Sequence, residues 1–199
     1  ALLSISDHMR QEGIAQGVAG ERAHLIPAFA PAVADVVARS STDSRVHVVF
    51  AGRFEPLKGP QLLIEAVGLL PASVRAGIAV TMVGDGREFQ ACAARAETLR
   101  SAGVGITLTG WRSQRACADI IRTADLLVVP SVWPEPFGLV GVEAAAAGVP
   151  ALAFALGGIP EWLLDNRTGR LLAPPATAKS LAQGLQDCLA DPARLHRWG

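Results

Sequence analysis

Two carboxylates and two cations are the residues of this sequence best suited to chemistry. Glu135 stands between Pro134 and Pro136 in the stretch PSVWPEPFGLVGVEAAAAG, and Glu143 follows Gly138, Leu139 and Val140. Gly138 to Val140 open a predicted helix, where free backbone N–H groups and the helix dipole favour an anion. Gly138 has no Cβ, so a ligand can approach its backbone closely. Glu143, about one turn inside that helix, is an acceptor-only group able to take both hydroxyls of a ribose. Complementing the dipole of the first turn explains Glu143 equally well. It explains Glu135 less well. A carboxylate on a rigid turn between two prolines suits the recognition of sugar hydroxyls.

Arg53 and Lys58 lie in the stretch GRFEPLKG. A planar guanidinium fork and a point-charge ammonium at the end of a strand suit a diphosphate. On spacing alone, two solvated surface cations are the preferred reading. Gly84-Asp85-Gly86 resembles the start of a dinucleotide fingerprint, but GDGREF has Phe89 where the third glycine belongs. A tight turn is the better account. Trp111, after Gly110, can pack beside a base, although a loop aromatic is more often part of a core rim. Gly157-Gly158, with Glu161 behind it, is a further backbone-exposing turn.

These residues need a frame that brings their loops together. Short apolar runs alternate with helical patterns. Strands are predicted at Val46 to Ala51, Ile78 to Val83, Gly105 to Thr109, Asp125 to Val129 and Ala151 to Ala155, with a short one at Arg170 to Leu172. Helices are predicted at Pro60 to Leu70, from after Gly86 to about Arg100, at Gln114 to Thr123, at Leu139 to Ala147 and, as the last, at Ala178 to Ala190. Nearly continuous apolar strands between helices indicate an α/β fold: a doubly wound parallel sheet with helices on both faces. Ligands of such sheets bind at the carboxyl ends of the strands. The chain divides into residues 1–45 and 46–199. In the first part, Ala1 to Ser6 reads as the end of a strand, Asp7 to Gly17 as an amphipathic helix and residues 27–45 as a connector.

Composition narrows the function. Half of the 199 residues are apolar, 18% are charged, and the formal net charge is zero. A neutral apolar chain has no electrostatic reason to bind nucleic acid. No apolar run is long enough to span a membrane. The opening residues have no charged segment followed by an apolar one, so no signal peptide is expected in this sequence. Cys92, Cys117 and Cys188 are odd in number, widely spaced and in helix-like segments. They read as reduced thiols of a cytoplasmic protein. The four histidines lack metal-ligand spacing, and no metal or cofactor is expected.

Seven strings occur together in a familiar order: GRFEPLKG, VGDG, LTGW, ADLLVVPS, EPFGLVGVEAAAAGVPALA, GGIPEWLLDNRTGRLL and the closing helix. In them the chain resembles the C-terminal, donor-binding domain of GT-B retaining glycosyltransferases of family four, the group-1 transferases. The resemblance covers about residues 46 to 190, and Glu135 and Glu143 reproduce the family's E-x7-E pattern. It implies a Rossmann-like half of a GT-B fold that transfers a sugar from a nucleoside diphosphate, with retention at the anomeric carbon and without a metal. It also implies roles. Arg53 and Lys58 hold the diphosphate and stabilise its developing charge. Glu135 contacts the donor sugar and Glu143 the ribose. Trp111 and Arg112 lie near the base. Backbone around Gly138, Leu139 and Val140 meets sugar and phosphate, and Gly52, Gly84 and Phe137 complete the donor-binding set. Ala145 stands where the family often has Met, and Trp133-Pro134 lengthens the loop before Glu135.

Ala1 to Arg10 resembles only the end of the family's acceptor-binding N-terminal domain. The expectation is therefore an excised half, inactive alone, whose partner is the missing domain of the same chain. In full length it would be cytoplasmic, or peripheral to the inner face of a membrane. It would serve polysaccharide or related biosynthesis, with a glycan, lipid or small molecule as acceptor. Two other readings compete. A GT-B sugar-nucleotide epimerase uses similar nucleotide contacts. A non-catalytic nucleotide-sugar-binding module would have no reason to keep four desolvation-prone charges around a cleft.

Overall fold

A computed structural model describes residues 1–26 and 44–199. Along the chain run β1 (Leu2–Ser4), α1 (Asp7–Ala15), β2 (Ala23–Leu25), β3 (Val46–Ala51), α2 (Pro60–Leu69), α3 (Ala72–Ala76), β4 (Ile78–Val83), α4 (Phe89–Ser101) and β5 (Gly105–Gly110). They are followed by α5 (Gln114–Arg122), β6 (Leu126–Val129), α6 (Leu139–Ala146), β7 (Ala151–Phe154), β8 (Gly169–Leu172), α7 (Ala178–Leu189) and α8 (Pro192–Trp198). The six strands from β3 onward form one parallel sheet in the order β5-β4-β3-β6-β7-β8.

The pattern of burial explains the layers. Every residue of β6 and β7 is buried, as befits strands covered on both faces. In β3, side chains alternate between two cores. Val48 and Phe50 pack with Leu63 and Ile64 of α2, Cys92 and Ala96 of α4 and Leu181 and Leu185 of α7. Val49 and Ala51 pack on the other face with Ile121 of α5 and Ala144 of α6. This is the doubly wound α/β arrangement that the apolar runs predicted. The chain moves from β3 outward through β4 to β5, then returns to lay β6 on the other side of β3. A parallel sheet opens a crevice where its winding reverses in this way.

The first part of the chain is more than a linker. β1 and β2 form a parallel pair with Leu2 opposite Ala23 and Ser4 opposite Leu25, and α1 packs on both. Ser6 caps α1 by accepting the Met9 N–H. The Glu161 carboxylate accepts the N–H groups of Asp7 at 2.8 Å and His8 at 2.9 Å. An anion thereby sits on a helix N-terminus and fastens this unit to the loop after β7. The connector expected at residues 27–45 lies mostly outside the described residues.

The helix at Ala178–Leu189 is not the last one. α8 follows, with Leu195 and Trp198 buried. Asp191 accepts the Arg194 N–H and Pro192 occupies the first turn, a start signal readable in the sequence. α3, also unpredicted, is short and buries none of its residues. Cys92 and Cys188 are in the core, and burial pushes their thiols up to about 11 and about 12. They are poor nucleophiles.

Gly84 sits where the loops after β3 and β4 meet. Its φ of +133° and the 1.8 Å separation between an added Cβ and the Gly52 carbonyl oxygen leave no room for a side chain. Gly84→Ala should therefore cost about 2–4 kcal/mol of stability in urea denaturation. Gly103, at φ +83° with nothing within 4 Å of an added Cβ, is the control. Gly103→Ala should cost only about 1 kcal/mol.

Candidate functional site

A cavity of about 440 Å³ opens at the carboxyl ends of β3 and β6, at the switch point of the sheet. The loop after β3 is pinned from below. Phe54 is fully buried, with its ring edge-on to Phe50 at 5.5 Å and tilted against Phe89 at 5.2 Å. Its backbone N–H donates to Asp85 and its carbonyl accepts from Glu88. Arg53, next to this anchor, keeps a fixed backbone and an exposed side chain at the cavity. Among the described residues its guanidinium has no hydrogen-bond or ion-pair partner.

Lys58 ends a single 3-10 turn, Pro56–Lys58. The Val132 N–H donates to the Leu57 carbonyl at 3.0 Å, which ties this turn to the loop after β6. That tie brings Lys58 to Glu135. The ammonium donates to both carboxylate oxygens, at 2.6 Å and 2.8 Å. Glu135 is 3% exposed and also accepts from the Ser131 hydroxyl at 2.6 Å and the Trp133 indole N–H at 3.1 Å. Its backbone carbonyl accepts the Gly158 N–H at 2.7 Å, and Glu135 bridges Gly157. Glu135 thus has a structural role besides the helix-dipole complement considered from the sequence. It joins the loops after β3, β6 and β7, because a buried carboxylate must find donors.

α6 begins at Gly138, whose φ of +84° is a left-handed conformation favouring glycine. No side chain caps this helix, so its first N–H groups are available at the cavity rim beside Phe137, Leu139 and Val140. Trp162 covers one side of Gly138. Its ring lies 3.5 Å from where a Gly138 Cβ would be, and the indole N–H donates to the Phe137 carbonyl.

The structure therefore gathers Gly52, Arg53, Lys58, Glu135, Phe137, Gly138, Leu139 and Val140 around one cavity. Four expected residues are not among its walls. Gly84 serves the approach of two loops. Trp111 is 72% exposed, and Arg112 donates only to the Trp111 carbonyl. Glu143 faces α5, where its charge helps raise the Cys117 thiol pKa, behind the larger effect of burial. Sequence reasoning missed Ile5, which reaches the cavity from the loop after β1, and the donors Ser131 and Trp133. A buried carboxylate between prolines was the one available signal for the latter two.

Glu143 is half-buried, and its carboxylate has no hydrogen-bond or ion-pair partner among the described residues. Burial raises its pKa above the ordinary value. The folded state thus binds that proton more tightly than the unfolded chain does. The group favours folding at low pH, and its contribution is lost as pH rises from the ordinary carboxylate value through the folded one. Glu143→Gln should be more stable than the parent at neutral pH, and the gap should close below the ordinary carboxylate pKa. Thermal melts at the two pH extremes read this directly; a variant that is less stable at neutral pH would refute it.

Comparisons with known proteins show the family and the fold. The family model described as glycosyl transferases group 1 matches residues 38–199. A D-inositol 3-phosphate glycosyltransferase of Streptomyces avermitilis is 39% identical over 160 residues, which is 76% of this chain and 34% of that protein. The sucrose-phosphate synthase of Thermosynechococcus elongatus shares 31% identity and superposes with a TM-score of 0.76, over 98% of this chain and 50% of that one. Anabaena HepE in complex with UDP and glucose superposes with a TM-score of 0.80 at 23% identity, over 98% of this chain and 55% of that one, a likeness of fold. The chain thus spans about a third of the length of that curated relative and about half of the two solved structures. On the extent of the family match and the identity to these relatives, the chain belongs to the group-1 glycosyl transferases.

Proposed function

We propose that this chain is the donor-binding part of a retaining glycosyltransferase, which moves a sugar from a nucleoside-diphosphate sugar to an acceptor held by a second domain. The observation that carries the reading is a cation with no partner among the described residues, Arg53, lining the switch-point cavity together with the uncapped N-terminus of α6. Both groups call for an anion, and a diphosphate supplies one with two centres. Lys58 adds its third N–H, since two of three are engaged by Glu135. As the glycosidic bond breaks, charge grows on the leaving diphosphate, and these fixed donors stabilise it without a metal.

The other roles are those that the family resemblance implies, with Glu143, Trp111 and Arg112 lying outside the cavity walls. Glu135 lines the cavity and accepts from a sugar hydroxyl. Glu143, partly desolvated and without a described partner, takes the ribose hydroxyls, and a perturbed carboxylate of this kind favours a functional site. Trp111 and Arg112 lie toward the base. UDP in the complex of the structurally similar HepE supports a nucleotide as the ligand. The share of the relatives that this chain leaves uncovered supports a separate acceptor domain. On this reading transfer needs that domain, and the protein acts in the cytoplasm, where nucleotide sugars are made, or at the inner face of its membrane. Among the described residues no helix is long and apolar enough to cross a membrane.

Thermal melts with UDP, GDP, ADP and their glucose conjugates test the reading. A ligand at about 100 times its Kd should add about 2.7 kcal/mol, or roughly 5–10 °C in Tm for a chain of this size. If none of the six raises the Tm, the chain is not a donor-binding domain. Arg53→Ala should leave the ligand-free Tm unchanged, because the side chain is exposed and free of described partners. It should weaken nucleotide binding about tenfold or more, the loss of a charge-assisted contact.

A further inference from the structure

The carboxylate of Glu135 is asymmetric in its contacts. Oε1 accepts from Lys58 at 2.6 Å, from Ser131 at 2.6 Å and from Trp133 at 3.1 Å. Among the described residues Oε2 accepts only from Lys58, at 2.8 Å. A carboxylate has about four acceptor positions in all. Oε1 is therefore saturated, and Oε2 keeps the spare capacity. Ser131 is buried at 1% exposure and Trp133 is half-buried, so neither donor is easily exchanged for water. The Trp133 ring also lies 5.8 Å from the Lys58 ammonium, within cation–π range. All four residues line the same cavity.

We infer that Trp133 and Ser131 are positioning residues for sugar recognition. They hold Oε1 so that Oε2 is the one carboxylate oxygen available to a hydroxyl entering the cavity. The inference rests on the donor-site reading and adds to it a device for reading the sugar separately from the nucleotide. Arg53 and the start of α6 take the diphosphate, and their geometry does not pass through Trp133. The carboxylate takes a hydroxyl, and its orientation does. Without one of the two donors, Ser131 or Trp133, Oε1 is held less firmly, and the carboxylate can turn about its last bond. The hydroxyl then loses a fixed acceptor, while the phosphate contacts stay.

The test compares a nucleotide with its sugar conjugate. Trp133→Phe keeps an aromatic ring beside Lys58 and removes the N–H donor; Ser131→Ala removes the other donor. Affinities for UDP and UDP-glucose are measured by calorimetry on the 199-residue chain, with the GDP or ADP pair used instead if that nucleotide is the one bound. Both variants should bind the bare nucleotide within about twofold of the parent, and should bind the sugar conjugate about fivefold more weakly. Equal losses for both ligands would reduce Trp133 to a packing residue and overturn the inference, as would unchanged affinity for the conjugate. A parent chain that binds neither ligand overturns the donor-site reading, and this inference with it. Should Trp133→Phe fail to fold, Ser131→Ala alone carries the comparison.

Discussion

Two neighbouring parallel strands whose chains leave in opposite directions along a sheet cannot be bridged across their carboxyl ends. The loop after β3 turns toward β4, and the loop after β6 turns toward β7. Nothing in the backbone fills the gap between them, and the cavity occupies it. Everything else at the site answers this constraint. Phe54 pins one loop beneath the gap, and the N-terminus of α6 faces it from the other.

A gap of this kind would be loose if the loops met only through solvent. They meet through the Val132–Leu57 backbone hydrogen bond and through Glu135. Its side chain takes Lys58 from the loop after β3 and Ser131 and Trp133 from its own, while its backbone bonds to the glycine pair after β7. Removing a carboxylate from water is costly, and the cost is offset only when several donors surround it. Such a group is sensitive to geometry, since its donors come from two loops, Lys58 from one and Ser131 and Trp133 from the other. The same property that ties the loops together makes Glu135 able to sense what enters the cavity.

Charge at the cavity is correspondingly uneven. Lys58 is largely neutralised by its bidentate contact with Glu135, so Arg53 and the α6 dipole carry the positive field. Glu143 contributes a negative charge outside the walls, facing α5 and lacking a described partner. On the proposed donor-site reading, a ligand with a phosphate near Arg53 and hydroxyls near the two carboxylates would suit this distribution. The Glu161 clamp on α1 brings Ile5 to the same cavity, so the first unit of the chain also shapes it.

The sequence by itself determined the sheet, most of its helices and the strand ends that would bear chemistry. Runs such as VHVVFA and DLLVV are apolar at nearly every position, and only a strand buried on both faces tolerates that. The grouping of Arg53, Lys58, Glu135 and the Gly138 segment was legible for the same reason, since all follow strands at one edge of a doubly wound sheet. α8 had a readable Asp-Pro start but no long apolar period to announce it. What only the tertiary structure decided was pairing. That Lys58 is held by Glu135 and that Gly84 serves a loop contact at Gly52 depend on approaches between segments distant in the chain, and that Trp133 and Ser131 saturate one carboxylate oxygen depends on how the loop after β6 folds around Glu135. Local pattern encodes which face of an element is buried; it does not encode which polar group will stand 3 Å from which other, because that distance is set by packing of the whole sheet.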